Sequence, residues 1–157
     1  MDRVAHTNRK TRRPVVVVGI VLLVVAILAS CFFAVLFQKT GNATVSSGES
    51  TKFSSWEIKA AEYSVRIGFL SFKGCTLDAL WYDEESSNAN IALINSPDDK
   101  LYGVDPGNVI VLYSNFTTSD SSGDDGFNEN TQYKNWSWTL VRLGKSFPWL
   151  IYEYGLG

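Results

Sequence analysis

Asp83-Glu84-Glu85, directly after Tyr82, is the densest carboxylate group in this 157-residue chain. Neighbouring carboxylates can act as general acid and base when burial or a matched partner separates their pKa values. A carboxylate run at a strand end is otherwise a solvated turn, and that is the reading adopted. Asp120-Ser121-Ser122-Gly123-Asp124-Asp125-Gly126 places oxygen ligands where a calcium loop would need its first three. Its sixth position, however, is Asp125 instead of Gly, and its twelfth is Thr131 instead of Glu. The segment therefore reads as an acidic loop. The single histidine, His6, precedes a long apolar run, so the chain after that run has no Ser–His–Asp triad, Cys–His pair or histidine-based zinc site. Cys75 is alone beyond the run and reads as a buried small hydrophobe. No catalytic residue, metal or cofactor is assigned. An enzyme built on this chain would rest on carboxylate and tyrosine chemistry, with Asp83 and Tyr82 as its first candidates.

Two further sets have chemical meaning. Trp81, Tyr113, Trp136, Trp138, Trp149 and Tyr152 lie on strand-like segments, where one face of them should fill the core. Strand alternation leaves the rest free to line a pocket, and Trp81, Tyr113, Trp138 and Tyr152 are the candidates for that lining. Asn42, Asn115 and Asn135 open N-glycosylation sequons, which matter only in a eukaryotic or viral surface protein.

The element that must position all of these is Val15–Phe37, 23 residues without a charge or a proline. As a helix it spans roughly 34 Å, enough for a hydrocarbon core of about 30 Å. Arg3, Arg9, Lys10, Arg12 and Arg13 precede it, so residues 1–14 read as a basic cytoplasmic tail and the C-terminal part as extracytoplasmic. The expected location is thus the cell membrane, crossed once. Two alternatives stay open: a cleaved signal peptide, and a lipoprotein signal in which Leu28-Ala29-Ser30-Cys31 directs lipidation of Cys31. Phe32 to Phe37 remain apolar where a lipoprotein would turn polar, which ranks the uncleaved span first.

Residues 1–37 carry five basic and one acidic residue, +4; residues 38–157 carry nine basic and fifteen acidic, −6. An acidic outer part without a basic cluster is a poor nucleic-acid binder. Residues 38–52 are Gly/Ser/Thr-rich and read as a flexible stalk. Residues 53–157 are enough for one domain with one core. Trp56, Ala60, Tyr63, Ile67 and Leu70 are spaced as one helical stripe, with Glu57, Lys59, Glu62 and Arg66 on the other side. Ser54 or Ser55 caps that helix. Cys75 to Asp83, Val109 to Phe116, Trp136 to Leu143 and Trp149 to Tyr154 read as strands, Ile91 to Ile94 as a brief one, and Glu84 to Asn90 as a polar turn. The expected fold is α+β: an N-terminal transmembrane helix, then one domain with a helix packed on a curved antiparallel sheet.

The closing hairpin adds a resemblance. Asn135-Trp136-Ser137-Trp138-Thr139-Leu140-Val141-Arg142, a Gly-Lys turn, and Trp149-Leu150-Ile151-Tyr152-Glu153-Tyr154-Gly155 resemble the end of nuclear-transport-factor-2-like (cystatin-like) domains. The resemblance is to the uncharacterised extracytoplasmic ones of Gram-positive membrane-anchored proteins and lipoproteins. It implies a cone-shaped pocket between sheet and helix, without transferring any catalytic residue. The expected function is a membrane-tethered, non-enzymatic binding module for a small apolar ligand or a protein partner. A pocket enzyme and a type II surface glycoprotein are the alternatives.

Overall fold

The computed structural model describes residues 12–97, 99, 101–122 and 126–156. The basic residues Arg3, Arg9 and Lys10, and the core of the acidic loop (Gly123, Asp124 and Asp125), lie outside them. The chain divides into two units between Val35 and Leu36. The first is dominated by helix α1, Arg12–Thr40. Its Val15–Thr40 portion is long and apolar enough to cross a membrane, and in its most apolar stretch no residue is buried by protein. An apolar surface exposed all round is what lipid, rather than a protein core, accommodates.

The second unit is α+β. Strands β1 (Thr44–Ser47), β2 (Cys75–Tyr82), β3 (Val109–Thr118), β4 (Gln132–Val141) and β5 (Leu150–Leu156) form an open sheet in the order 1-2-3-4-5. The β2–β5 strands run antiparallel as expected, but β1 pairs parallel with β2, so the sheet is mixed. Helix α2 (Ser55–Gly68) makes the crossover that a parallel pair requires. A second helix, α3 (Glu84–Ile94), occupies the segment read as a polar turn and brief strand. Asp83 caps it by accepting from Ser86 N–H at 2.8 Å, and Glu84 and Glu85 sit in its first turn, where the helix dipole favours negative charge. The acidic run is therefore a helix start.

The two helices lie on opposite faces of the sheet. Alternation along β3 sends Ile110, Leu112 and Phe116 to the core under α2, and Val109, Val111 and Tyr113 to a smaller core under α3. A strand covered on both faces reads as a continuous apolar run, as Val109 to Tyr113 does.

Helix α2 starts at Ser54 with a full capping box: Glu57 N–H donates to Ser54 Oγ, and Ser54 N–H donates to Glu57 Oε2. It buries Ile58, Ala61, Glu62 and Val65, while Trp56, Tyr63 and Ile67 of the expected stripe are exposed. The helix is apolar on two sides. Arg142, with its side chain only 2% exposed, fixes which side turns inward through its 2.7 Å ion pair to Glu57. Trp149 adds Nε1–H donated to the Glu57 carbonyl at 3.0 Å, and its ring lies 4.3 Å from the Arg142 guanidinium carbon. Glu62, expected on the solvent side, is buried and accepts from Ser47 Oγ of β1.

The stalk expected at residues 38–52 is largely built into this unit. Lys39 Nζ donates to the Leu70 carbonyl at 3.1 Å and also to that of Phe72, Thr40 is buried, and β1 adds an edge to the sheet. Its polar composition reflects hydrogen bonding to the domain rather than slack.

Candidate functional site

The four candidate pocket aromatics do not share a cavity. Trp138 is completely buried in the α2-side core, and its Nε1–H donates to Ser114 Oγ at 2.8 Å. Tyr152 lies on the edge strand β5, at the irregularity where Glu153 and Ile151 pair with Thr139 and Leu140. Trp81 and Tyr113 do come together. They are register partners on β2 and β3, with ring centroids 6.0 Å apart and planes tilted by 25°. Ser86, Ala89 and Asn90 of α3, with Asn135 of β4, complete an open cleft of about 420 Å³. Asn90 Nδ2 donates to the Tyr113 hydroxyl, which itself donates to the Ser86 carbonyl at 3.0 Å. Burial pushes the Tyr113 phenol above its ordinary pKa, so it stays protonated and able to make that donation.

Asn90 and Asn135 were not singled out as pocket residues from the sequence. Asn135 has φ 55°, a left-handed conformation that Asn tolerates better than most residues, and it sits beside the bulge between Ser114 and Phe116. Its N–H donates to Asn115 Oδ1 at 3.0 Å. An Asn-Trp dipeptide entering a strand was the available signal. Of the three sequon asparagines, Asn42 and Asn135 are exposed and Asn115 is half-buried within β3.

A second cleft, of about 520 Å³, opens between Ser71, Phe72, Gly126, Phe127, Trp136 and Tyr154. Trp136 Nε1 is buried there without a hydrogen-bond partner.

The carboxylate–tyrosine candidates diverge. Tyr82 is buried beneath α2, 6.1 Å centroid to centroid from Phe53, and burial raises its phenol pKa. Asp83 is exposed, and its capping bond with Ser86 lowers its pKa. Glu84 is the carboxylate held most firmly. It accepts from Ser50 Oγ, from Thr51 N–H at 2.9 Å and from Thr51 Oγ1 at 2.6 Å, which brings its pKa down to about 2, with the Ser50 hydroxyl the main cause. A carboxylate so saturated with donors locks residues 50–52 to the start of α3 and stays ionised. Among the described residues, no three His, Cys, Asp or Glu side chains converge on a metal-sized site.

A pH dependence follows. Glu57 is likewise depressed to about 2, chiefly by the Ser54 backbone and hydroxyl. Both groups sit below their usual value of 4.5, so the stability they contribute is complete above about pH 4.5 and is lost as pH falls towards 2. Urea midpoints measured between pH 7 and pH 2 should decline in that window, and Glu84→Gln should lower the pH 7 midpoint and make the decline shallower. An equally steep decline in the variant would contradict the assignment.

Comparison of the chain with family models, curated proteins and solved structures returns no match.

Proposed function

We propose that this chain is a membrane-tethered, extracytoplasmic, non-enzymatic binding domain. The observation that carries the reading is the Trp81–Tyr113 cleft: an aromatic floor, bordered by uncharged hydrogen-bonding side chains, and open to solvent. Binding sites join apolar surface to a few placed polar groups in this way. The apolar helix α1 and the five basic residues before its apolar run at Val15 support an uncleaved anchor with a cytoplasmic N-terminus. The closing hairpin's likeness to nuclear-transport-factor-2-like domains is compatible with a small binding module. Cys31, exposed in the C-terminal half of α1, sits within a helix that continues unbroken to Thr40, which favours retention of the whole span over lipidation at Cys31.

The test is topology together with anchoring. In intact cells, external protease should digest the C-terminal domain, and a tag at residue 1 should be protected. Cys31→Ala should stay in the membrane fraction after carbonate washing, with no palmitate label on either form. A protected C-terminal domain, or release of Cys31→Ala, would overturn this reading.

A further inference from the structure

The apolar run ends at Phe37, and the chain is fastened to the domain almost at once. Leu36 to Thr40 belong to the second unit, and Leu36 and Thr40 are buried. A lysine at the end of a span ordinarily extends its ammonium into water. Lys39 instead donates to the carbonyls of Leu70 and Phe72, in and just after the 3-10 turn Phe69–Ser71. Those carbonyls therefore lie within roughly 12 Å of the end of the apolar run, one side-chain length and two helical rises away. The interfacial layer outside the hydrocarbon is about 5–8 Å deep. A span ending at Phe37 thus places this turn in that layer or directly above it.

The turn opens on the cleft of Ser71, Phe72, Gly126, Phe127, Trp136 and Tyr154. The Phe72 ring lies 5.1 Å from Phe127, 5.2 Å from Tyr154 and 6.2 Å from Trp136, centroid to centroid. Tyr154 is 51% exposed, and Leu156, the register partner of Trp136, is 73% exposed. No lining residue is charged. Among the described residues, the charges within two positions of the lining are Lys73, Lys134, Glu129 and Glu153, of both signs and all exposed. That balance selects neither an anion nor a cation, and it suits zwitterionic headgroups. Aromatic side chains with polar tips collect where hydrocarbon meets water.

We propose that this end of the domain is seated in the lipid interface, with Tyr154 and Leu156 entering the headgroup layer beside the point where the chain leaves the bilayer. The assignment rests on the membrane-tethered reading above and adds an orientation to it. What selects lipid as the occupant is continuity with the span: Lys39, at its end, is hydrogen-bonded to the backbone of Phe72 in the cleft itself. Trp56 is 77% exposed but lies at the far end of α2, about 20 Å from Phe69 along the helix. It should stay in water.

The experiment uses the full chain in phosphatidylcholine vesicles, labelled at an exposed cysteine with an environment-sensitive fluorophore and quenched by nitroxide-bearing lipids. Cys75 is buried and is left in place. Three forms are compared: the native chain labelled at Cys31, and Leu156→Cys and Trp56→Cys, each combined with Cys31→Ala. Label at Cys31 should be quenched by a deep nitroxide, which reports the span. A shallow nitroxide should quench label at residue 156 at least twofold more than label at residue 56. Equal quenching at those two positions, with Cys31 quenched, would overturn the seating and leave the tether standing. A blue-shifted but unquenched label at residue 156 would mean that protein covers this end, and would also overturn the seating. An unquenched Cys31 would overturn the tethered reading, and the seating with it.

Discussion

Trp138→Ala is expected to lower the unfolding free energy by about 3–5 kcal/mol, the usual cost of emptying a large aromatic site in a close-packed core. Trp138 is completely buried, and its ring lies 5.3 Å from Phe72 and 5.2 Å from Tyr154, centroid to centroid. Few neighbours can collapse into the void, because Leu112 and Leu140, adjacent in the same core, belong to the sheet itself. Trp138→Phe separates two contributions. It keeps most of the ring volume but leaves the buried Ser114 hydroxyl without its 2.8 Å donor, which should cost about 1–3 kcal/mol. Urea unfolding of both variants, followed by far-ultraviolet circular dichroism, measures the difference. A loss below about 1 kcal/mol for Trp138→Ala would mean that the ring does not hold the core.

The second large effect is expected at Glu57. Glu57→Ala removes the 2.7 Å partner of a guanidinium that is almost wholly enclosed, and also the carboxylate half of the capping box, which accepts from Ser54 N–H, while the Ser54 hydroxyl keeps its bond from the residue 57 N–H. Stranding a buried charge should cost about 3–5 kcal/mol. Arg142 would keep its 2.9 Å bond to the Gly107 carbonyl and its stacking on Trp149, which favours the lower end of that range. Arg142→Met is the informative companion, since it removes the charge and retains apolar bulk, leaving behind a carboxylate that is about a fifth exposed and can hydrate. The double variant should be more stable than the sum of the single losses predicts, by roughly 1–3 kcal/mol of coupling. Strict additivity would show that the two groups do not act as a pair.

Both sites show where the sequence was informative and where it was not. The strands were legible because their signal is local: β-branched and aromatic runs at Val109 to Phe116 and Trp149 to Tyr154 are strands wherever they pack. The Ser54 cap was legible for the same reason, since a capping box is complete within four residues. The face of α2 was not. Its sequence has apolar residues on two sides, and the choice between them is made by Arg142 and Trp149, more than eighty residues away. The helix α3 was hidden because Ser86, Ser87, Asn88 and Asn90 favour turns. What holds it is Asp83 at its start and Ile91 in a core that no local window shows. Ser87 is completely buried, with its hydroxyl accepting from Val111 N–H at 3.1 Å, a bond that only the β3 register reveals. At the candidate site, Trp81 and Tyr113 were found by residue type. Trp138 was misplaced because alternation along β4 turns it towards the core side, and Asn90 had no signal before its helix was known.

The strands are laid side by side in the order in which they occur along the chain. During synthesis each strand therefore meets its neighbour as soon as it is made, with none having to be inserted later between two that already exist. Only the β1–β2 pair must wait for a crossover, and α2 closes it over a short span of sequence. Assembly can thus proceed vectorially from β1 towards β5. Trp149, one residue before β5, reaches the Arg142 guanidinium only after β1 to β4 have been made, so the enclosure of that charge waits on the fifth strand of the sheet.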